Sequence, residues 1–400
     1  MKRLLIFPAG AVVAFWAAAV AAPKTPNHVT NPAPMTRPMP LRTTVEDGYQ
    51  VEEGFFNVTI GTTLYLLQGL VVKKVAATGR LPIMLYTHGS TPSAKLRQEM
   101  TPRGVKDATL RLVRDYARRG WLAVFVLRRG YGQSDGPDPV TGFKCDSPTP
   151  SFADGMNMAA DDLEATLNYI GRRDDADASR TMVLGVSGGG GAAVALSSRS
   201  IAGLQLVINV SGGLSLANCD RNAERLIEAM RTFGTKSRVT NLWYYAKTDS
   251  HFPEETVSKM RAAFLEGGAY AKLLHYPRLT MPGTETLDGH ELWSKMASTV
   301  MLDVDGYLRA HDLPTWDINE AKAFAEKHGI KAATSPFIEL YLASPGYKAL
   351  AQSTASPTSL GDTYGAPSLE RAKEGALASC QKRYPGHTCK IIDPETTISQ

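Results

Sequence analysis

The sequence is poor in cysteine and has no long run of basic residues, and each shortage removes a class of function. Cys145, Cys219, Cys380 and Cys389 are its only cysteines among 400 residues. They form no C-x-x-C pair, and no His-x-x-x-His accompanies them, so their spacing excludes a structural zinc site. Basic residues are scattered in short pairs such as Arg118-Arg119 and Arg128-Arg129. No stripe is left for a nucleic-acid partner. A G-x-G-x-x-G fingerprint after the first strand is missing, as is a Lys-Ser/Thr ending behind any glycine cluster, so neither a dinucleotide nor a nucleotide phosphate is expected. No cofactor and no metal are read from the sequence. Past the first 21 residues no segment is apolar enough to span a bilayer, so no stable membrane insertion of the mature chain is expected.

The N-terminus carries Lys2-Arg3, then an apolar run to Val20 broken by Pro8 and Gly10, then Ala19-Val20-Ala21. A basic head, an apolar middle and an A-x-A end describe a secretory signal peptide, residues 1–21, cut after Ala21. The alternative is a membrane anchor, for which the run is short. Cleavage lowers the formal charge from +5 to +3, because no acidic residue lies in that segment. A secreted or periplasmic location follows, and there an even number of cysteines invites disulfides over free buried thiols. Four cysteines allow three pairings. Nearness in sequence favours Cys380–Cys389, which leaves Cys145–Cys219.

Residues 22–43 are rich in Pro, Thr and Asn and read as a flexible lead-in. From Phe55 to about Lys74 a β-rich stretch predicts an antiparallel start to a sheet. Short apolar strands then alternate with helices. Strands are predicted at "LPIMLYTH", "WLAVFVL", "MVLGV" (Met182–Val186), "LQLVINV", "LWYYA" and "AKLLHY". Helices are predicted over residues 106–119, 152–171, 190–199, 255–267 and 291–309. The second of these shows Met156, Ala159/Ala160, Leu163, Leu167 and Ile170 on one face. Such alternation predicts an α/β fold with a mostly parallel central sheet and helices on both faces, over residues 44–312. Residues 313–400 read as a small appended α+β module. It has helices at 319–328 and 367–383, a strand candidate at "GYKALAQS", and a Ser/Thr/Pro/Gly stretch over 353–366. The last two cysteines would staple it, since so short a segment has little core. No internal repeats are present.

"MVLGVSGGGG" places four glycines behind a serine at the end of a strand. Gly185-Val186-Ser187-Gly188-Gly189 fits G-x-S-x-G between a strand and a helix. A tight corner there strains the serine backbone and requires small residues at Gly185 and Gly189. It would hold the Ser187 hydroxyl above the sheet, at a helix N-terminus that favours negative charge. Serine is a weak nucleophile without a base and an orienting carboxylate. In the order Ser, acid, His along the chain, Asp249 stands at the end of "LWYYA", 62 residues on, and His290 follows in "LDGHELW". Asp288, Asp303 and Asp305 are rival acids. His251 and His275 are rival bases, the first too near Asp249 and the second inside a strand. The Gly188 amide is one candidate oxyanion donor, and "YTHGSTP" offers Ser90 or Thr91 as the second. His88 is read as a local packing residue.

In "THGS", "RRGYGQSDG", "GVSGGG", "NLWYYAKTDSHF" and "DGHELW" the chain resembles the α/β-hydrolases, and among them the dienelactone-hydrolase-like branch, from roughly Thr44 to Asp312. The resemblance implies the α/β-hydrolase fold, a small-molecule ester or related acyl bond as substrate, no cofactor, and Ser187, Asp249 and His290 as triad. It also implies that Tyr131 and Asp135 shape the pocket rim. Dienelactone hydrolase itself carries a cysteine nucleophile where Ser187 stands, and its substrate-binding arginines do not map here, although Arg128 and Arg129 are candidates. Cys145 and Cys219 fall in loops leaving the carboxyl ends of neighbouring strands, where a bridge would tie the rim. A peptidase or acyltransferase on the same three residues is the nearest alternative. A binding protein that kept the fold and lost turnover is the alternative of another class.

Overall fold

Aromatic and β-branched residues between Arg42 and Lys74 leave few places for a helix, and this stretch forms three antiparallel strands. They are β1 (Arg42–Glu46), β2 (Tyr49–Ile60) and β3 (Thr63–Lys74). The structure is a computed structural model that describes residues 41–141, 143–145, 151–278, 287–315, 318–331, 336–344 and 346–393. Residues 1–21, read as a signal peptide, and residues 22–40 of the expected lead-in lie outside them. β1 takes up the last two positions read as lead-in.

Beyond β3 the chain alternates. β4 (Leu81–Thr87) leads through α1 (Ala94–Glu99) and α2 (Ala108–Arg119) to β5 (Leu122–Val126). Then come α3 (Phe152–Ile170), β6 (Ala176–Val186), α4 (Gly188–Ser197), β7 (Leu204–Val210) and α5 (Asn222–Gly234). β8 (Thr240–Ala246), α6 (Glu254–Glu266), β9 (Ala271–Tyr276) and α7 (Leu292–Ala310) complete the series. The nine strands form one sheet in the order β1-β2-β3-β5-β4-β6-β7-β8-β9. β3 meets β5 antiparallel, and every pair from β5 to β9 is parallel.

Alternate residues of each strand feed two cores. Ile83, Leu85 and Val183 join α3 to α6 on one face, while Met84, Tyr86 and Leu184 join α2 and α7 on the other. α3 begins at a capping box in which Ser151 and Asp154 exchange side-chain and backbone hydrogen bonds. α4 is apolar all round, and Ala192 to Leu196 are fully buried, so it lies inside the layer as a core helix.

Three departures from the predicted elements have physical reasons. β6 starts six residues before Met182, because Ala176 and Asp177 extend the parallel pairing with β4 beyond a register shift. α5 has no counterpart among the predicted helices, although Leu226, Ala229, Met230 and Phe233 give it a buried stripe at helical spacing. Its charged positions hid that stripe. The Ser/Thr/Pro/Gly stretch of residues 353–366 is mostly strand.

That stretch belongs to the C-terminal segment, which follows as α8 (Ile318–Lys327), α9 (Pro336–Leu342), β10 (Tyr347–Ser353), β11 (Ser356–Ala366), α10 (Leu369–Arg383) and β12 (Cys389–Asp393). The strands form an antiparallel sheet ordered β11-β10-β12. β11 carries Gly361 and Thr363 where α10 lies directly on it: a Cβ on Gly361 would stand 2.3 Å from the Cys380 amide nitrogen. Composition therefore imitated a loop where close packing demanded small side chains. Cys380 and Cys389 are bonded, tying α10 to β12, and Cys145 is bonded to Cys219. Arg118 pairs with Glu339 and Arg111 with Asp362 at 2.7 Å, so α2 carries this segment. All described residues belong to one compact unit. Among them, no helix is long and apolar enough to cross a membrane.

Candidate active site

The sheet order reverses between β5, β4 and β6, so the connections leaving β4 and β6 diverge to opposite faces and open a crevice at the strands' carboxyl ends. Ser187 ends β6 at this point. Its backbone takes φ 53 and ψ −123, a conformation that costs about 1–3 kcal/mol and persists only where surrounding contacts impose it. Those contacts are visible. Ser187 N donates to Val210 O at 2.9 Å, and Ser187 O accepts from the amides of Gly191 and Gly213.

The glycines answer to close approach. A Cβ on Gly185 would lie 2.1 Å from Gly189 O, and one on Gly189 would lie 2.4 Å from His88 O. Gly188 abuts Ser90, Gly190 abuts Asn209, and Gly191 abuts Met156. Each glycine has its own neighbour, and α4 can start directly behind the serine only because all of them are bare.

Asp249 lies in the turn after β8 and is 3% exposed. Its Oδ1 accepts from the His251 and Phe252 amides at 2.9 and 3.0 Å, which fixes the carboxylate plane. His290 Nδ1 lies 3.1 and 3.2 Å from the two oxygens of Asp249, and His290 Nε2 lies 3.1 Å from Ser187 Oγ. A carboxylate only accepts, so Nδ1 carries the proton and donates it. The Nε2 lone pair then faces the serine hydroxyl. The three residues read from the sequence are thus brought into one hydrogen-bonded chain.

Two neighbours hold the imidazole there. A Cβ on Gly289 would stand 2.4 Å from Asp249 N and 2.6 Å from Thr248 C, so only glycine lets the His290 loop close on the Asp249 turn. Gly289 N donates to Thr248 O at 3.0 Å. Asp288 accepts from the amides of Ser250 and His290 at 3.0 and 2.9 Å and from the Ser250 hydroxyl, which stitches the two loops together. Burial pushes its carboxyl up, but these donors outweigh burial and hold it below the usual aspartate value. Asp288 thus positions the loop. The other rivals are engaged elsewhere: Asp303 accepts from Tyr244, Asp305 pairs with Arg119, and His275 sits on β9 near Glu254. His251 stacks on the His290 ring, with centroids 4.2 Å apart.

Ligand atoms of Asp249, His251 and His290 lie within 4.8 Å of one another, the one such grouping among the described residues. The Asp249 carboxylate already receives two amides and the His290 Nδ1 proton, an arrangement that orients a histidine.

On the β4 side, the Thr91 amide donates to Tyr131 Oη at 3.4 Å. The Ser90 amide instead lies 3.3 Å from the place a Gly188 Cβ would occupy, so Ser90 is the loop residue that faces α4. His88 is buried. Its Nδ1 donates to Gly89 O at 2.6 Å and its Nε2 accepts from Arg128 N at 3.1 Å. Burial first and the Arg128 charge second keep this imidazole neutral, far below its ordinary pKa of 6.5.

The "RRGYGQSDG" segment differs from the rim the resemblance implied. Tyr131 is 1% exposed and packs on His88 with centroids 4.3 Å apart. Asp135 accepts from Leu66 N at 2.7 Å and clasps the segment onto β3. Arg129 pairs with buried Asp162 at 2.5 Å. Arg128 is 3% exposed and lies beneath the Ser90 loop. Two adjacent arginines in a glycine-rich turn carried no sequence signal for such burial.

No family model and no curated protein matches the sequence. Among solved structures the chain is similar to acetyl xylan esterase 1 from a Thermoanaerobacterium species, at 16% identity and a TM-score of 0.42, covering 61% of this chain and 84% of that one. It is also similar to a Pyrococcus furiosus esterase at 12% identity and TM-score 0.44, covering 65% and 90%. A third likeness is to the Pyrococcus horikoshii acylaminoacyl peptidase, at 12% identity and TM-score 0.45, covering 67% of this chain and 43% of that one. An antiparallel leading hairpin, six parallel strands reversing order at β4, and a strand–Ser187–helix corner at the reversal give this chain the α/β-hydrolase fold.

Proposed function

We propose that the protein is an exported serine hydrolase that cleaves a carboxylic ester, or a related acyl bond, through an acyl-enzyme. The observation that carries this reading is the chain Ser187 Oγ to His290 Nε2 at 3.1 Å and His290 Nδ1 to Asp249 at 3.1 Å, at the crevice where the sheet reverses. His290 takes the Ser187 proton as Oγ attacks the carbonyl carbon. Asp249 holds the Nδ1–H tautomer and balances the imidazolium. The Gly188 and Ser90 amides receive the oxyanion, and the α4 N-terminus favours the same charge. His290 then protonates the departing alcohol. Water, activated by the same imidazole, frees the acid and restores Ser187. An ester fits better than a peptide because an alkoxide leaves with less assistance than an amine. Export is supported by the sequence of residues 1–21 together with two disulfides, which persist in oxidising compartments.

The test is a panel of p-nitrophenyl esters of increasing acyl length beside aminoacyl p-nitroanilides, on wild type and Ser187→Ala. Ester turnover abolished by the substitution is the expected result. Faster cleavage of the anilides would make the protein a peptidase, and turnover that survives Ser187→Ala would overturn the reading.

A further inference from the structure

Arg128 is a buried cation whose bonds go to neutral acceptors. Its Nη1 donates to Thr87 Oγ1 at 2.9 Å and to His88 O at 2.5 Å, and its Nη2 donates to Ser90 Oγ at 3.3 Å. The guanidinium carbon stands 5.5 Å from the Tyr131 ring centroid. Among the described residues no carboxylate forms an ion pair with Arg128, since the nearby Asp162 is taken by Arg129. Burying a charge without a bonded counter-ion is costly: Asp162 acts on Arg128 through space only, and the guanidinium lies directly under the loop that flanks Ser187.

Ser90 is exposed, and its hydroxyl oxygen accepts from Arg128. A hydroxyl that accepts through its oxygen keeps its own proton for another acceptor. That oxygen would lie 2.1 Å from a Cβ on Gly188, the residue whose amide follows the nucleophile. On the same loop, a Cβ on Gly89 would lie 3.6 Å from Ser187 Oγ. The hydroxyl therefore borders the space that the oxygen of an acyl group on Ser187 enters.

We propose that the Ser90 side chain donates a third hydrogen bond to the oxyanion, and that Arg128 is the positioning residue that aims and polarises it. The proposal rests on the hydrolase reading above. Hydrogen bonds in series strengthen one another, and a donor polarised by a buried cation gains most when the acceptor becomes a full negative charge. The effect thus falls on the transition state and leaves substrate binding little changed. Ser90 acts in two ways, through its amide and through its hydroxyl, and only the second depends on Arg128.

The experiment measures kcat and KM on one p-nitrophenyl ester, and the binding of a trifluoromethyl ketone whose hemiketal carries the oxyanion. Wild type, Ser90→Ala, Ser90→Thr, Arg128→Gln and the Ser90→Ala/Arg128→Gln double variant are compared. Ser90→Ala is expected to lower kcat by about 10- to 100-fold, with KM within about twofold and an unchanged melting temperature. The ketone should weaken by the same factor, and Ser90→Thr should restore most of the loss. The double variant should be no worse than the poorer single variant. Should Arg128→Gln not fold, Arg128→Lys replaces it, because an ammonium cannot span all three acceptors, and its loss should vanish in the Ser90→Ala background. Full kcat in Ser90→Ala, or losses that multiply in the double variant, would overturn the proposal. Failure of the hydrolase reading itself would show differently, as a wild type without turnover.

Discussion

The corner after β6 and the sheet formed by β10, β11 and β12 both press a helix of small residues onto strands, and they hold it by different means. α4 lies in the large core, with Ala192 to Leu196 fully buried, and no covalent link crosses it. The packing there is sufficient to keep Ser187 at φ 53. α10 presents Ala372, Ala376 and Cys380 to a sheet with little interior of its own, and it is bonded through Cys380 to β12. A large core can store backbone strain where chemistry needs it, while a small one is stapled. The rim of the crevice falls between these cases: a strained corner at its floor, and the Cys145–Cys219 bond joining its loops.

The comparison can be broken most severely at the corner. Ser187→Gly should abolish ester turnover, by a factor of about 10⁴ or more, while stability rises by about 1 kcal/mol as the positive φ becomes unstrained. Kinetics and urea unfolding on the same preparation read both effects. Loss of stability in this variant would show that the corner is not strained. Gly289→Ala comes next. Its Cβ would meet backbone at 2.4 Å, so the loop must move, and a shift approaching 1 Å should cost about 100-fold in kcat. Unchanged kcat would mean the His290 loop is free to adjust.

The staples should rank by the chain they close. Loop-closure entropy gives about 4.5 kcal/mol for the Cys145–Cys219 bond, which spans 74 residues, and about 2.7 kcal/mol for Cys380–Cys389, which spans 9. Paired serine substitutions followed by urea unfolding should reproduce that order. The reverse order would assign the smaller sheet a greater dependence on its staple than chain entropy explains.

The smallest effect concerns pH. Burial, reinforced by Arg128, holds the folded His88 imidazole far below its ordinary 6.5. Below pH 6.5 the unfolded chain binds a proton there that the folded chain refuses, so stability falls as the solution is acidified. Above that pH the contribution is fully present. His88→Gln should therefore lose less stability than wild type between pH 7.5 and pH 5. Equal losses by urea midpoint would place the acid sensitivity elsewhere.

Much of the site was legible because its residues obey spacing rules. G-x-S-x-G at a strand end, an acid after β8 and a histidine before a helix are local patterns in a fixed order, and the structure brings Ser187, Asp249 and His290 together. The supporting parts were not legible. Asp288 reads as a rival acid until its hydrogen bonds to Ser250 and His290 are seen, and burial of Arg128 comes from contacts with Thr87, His88 and Ser90, some 40 residues away along the chain. The parallel sheet was legible from its apolar strands. β11 was not, because small residues chosen for contact with α10 have the composition of a loop. Sequence patterns report what a residue does along the chain, and the missed features are contacts made across it.

A fluorophosphonate probe followed by peptide mass analysis tests the central claim most directly, because it reads the nucleophile and its base together. Wild type should carry one adduct, on Ser187, and His290→Ala should form it at least about 1,000-fold more slowly. Adduct on another residue, or labelling of Ser187 that is indifferent to the loss of His290, would contradict the account.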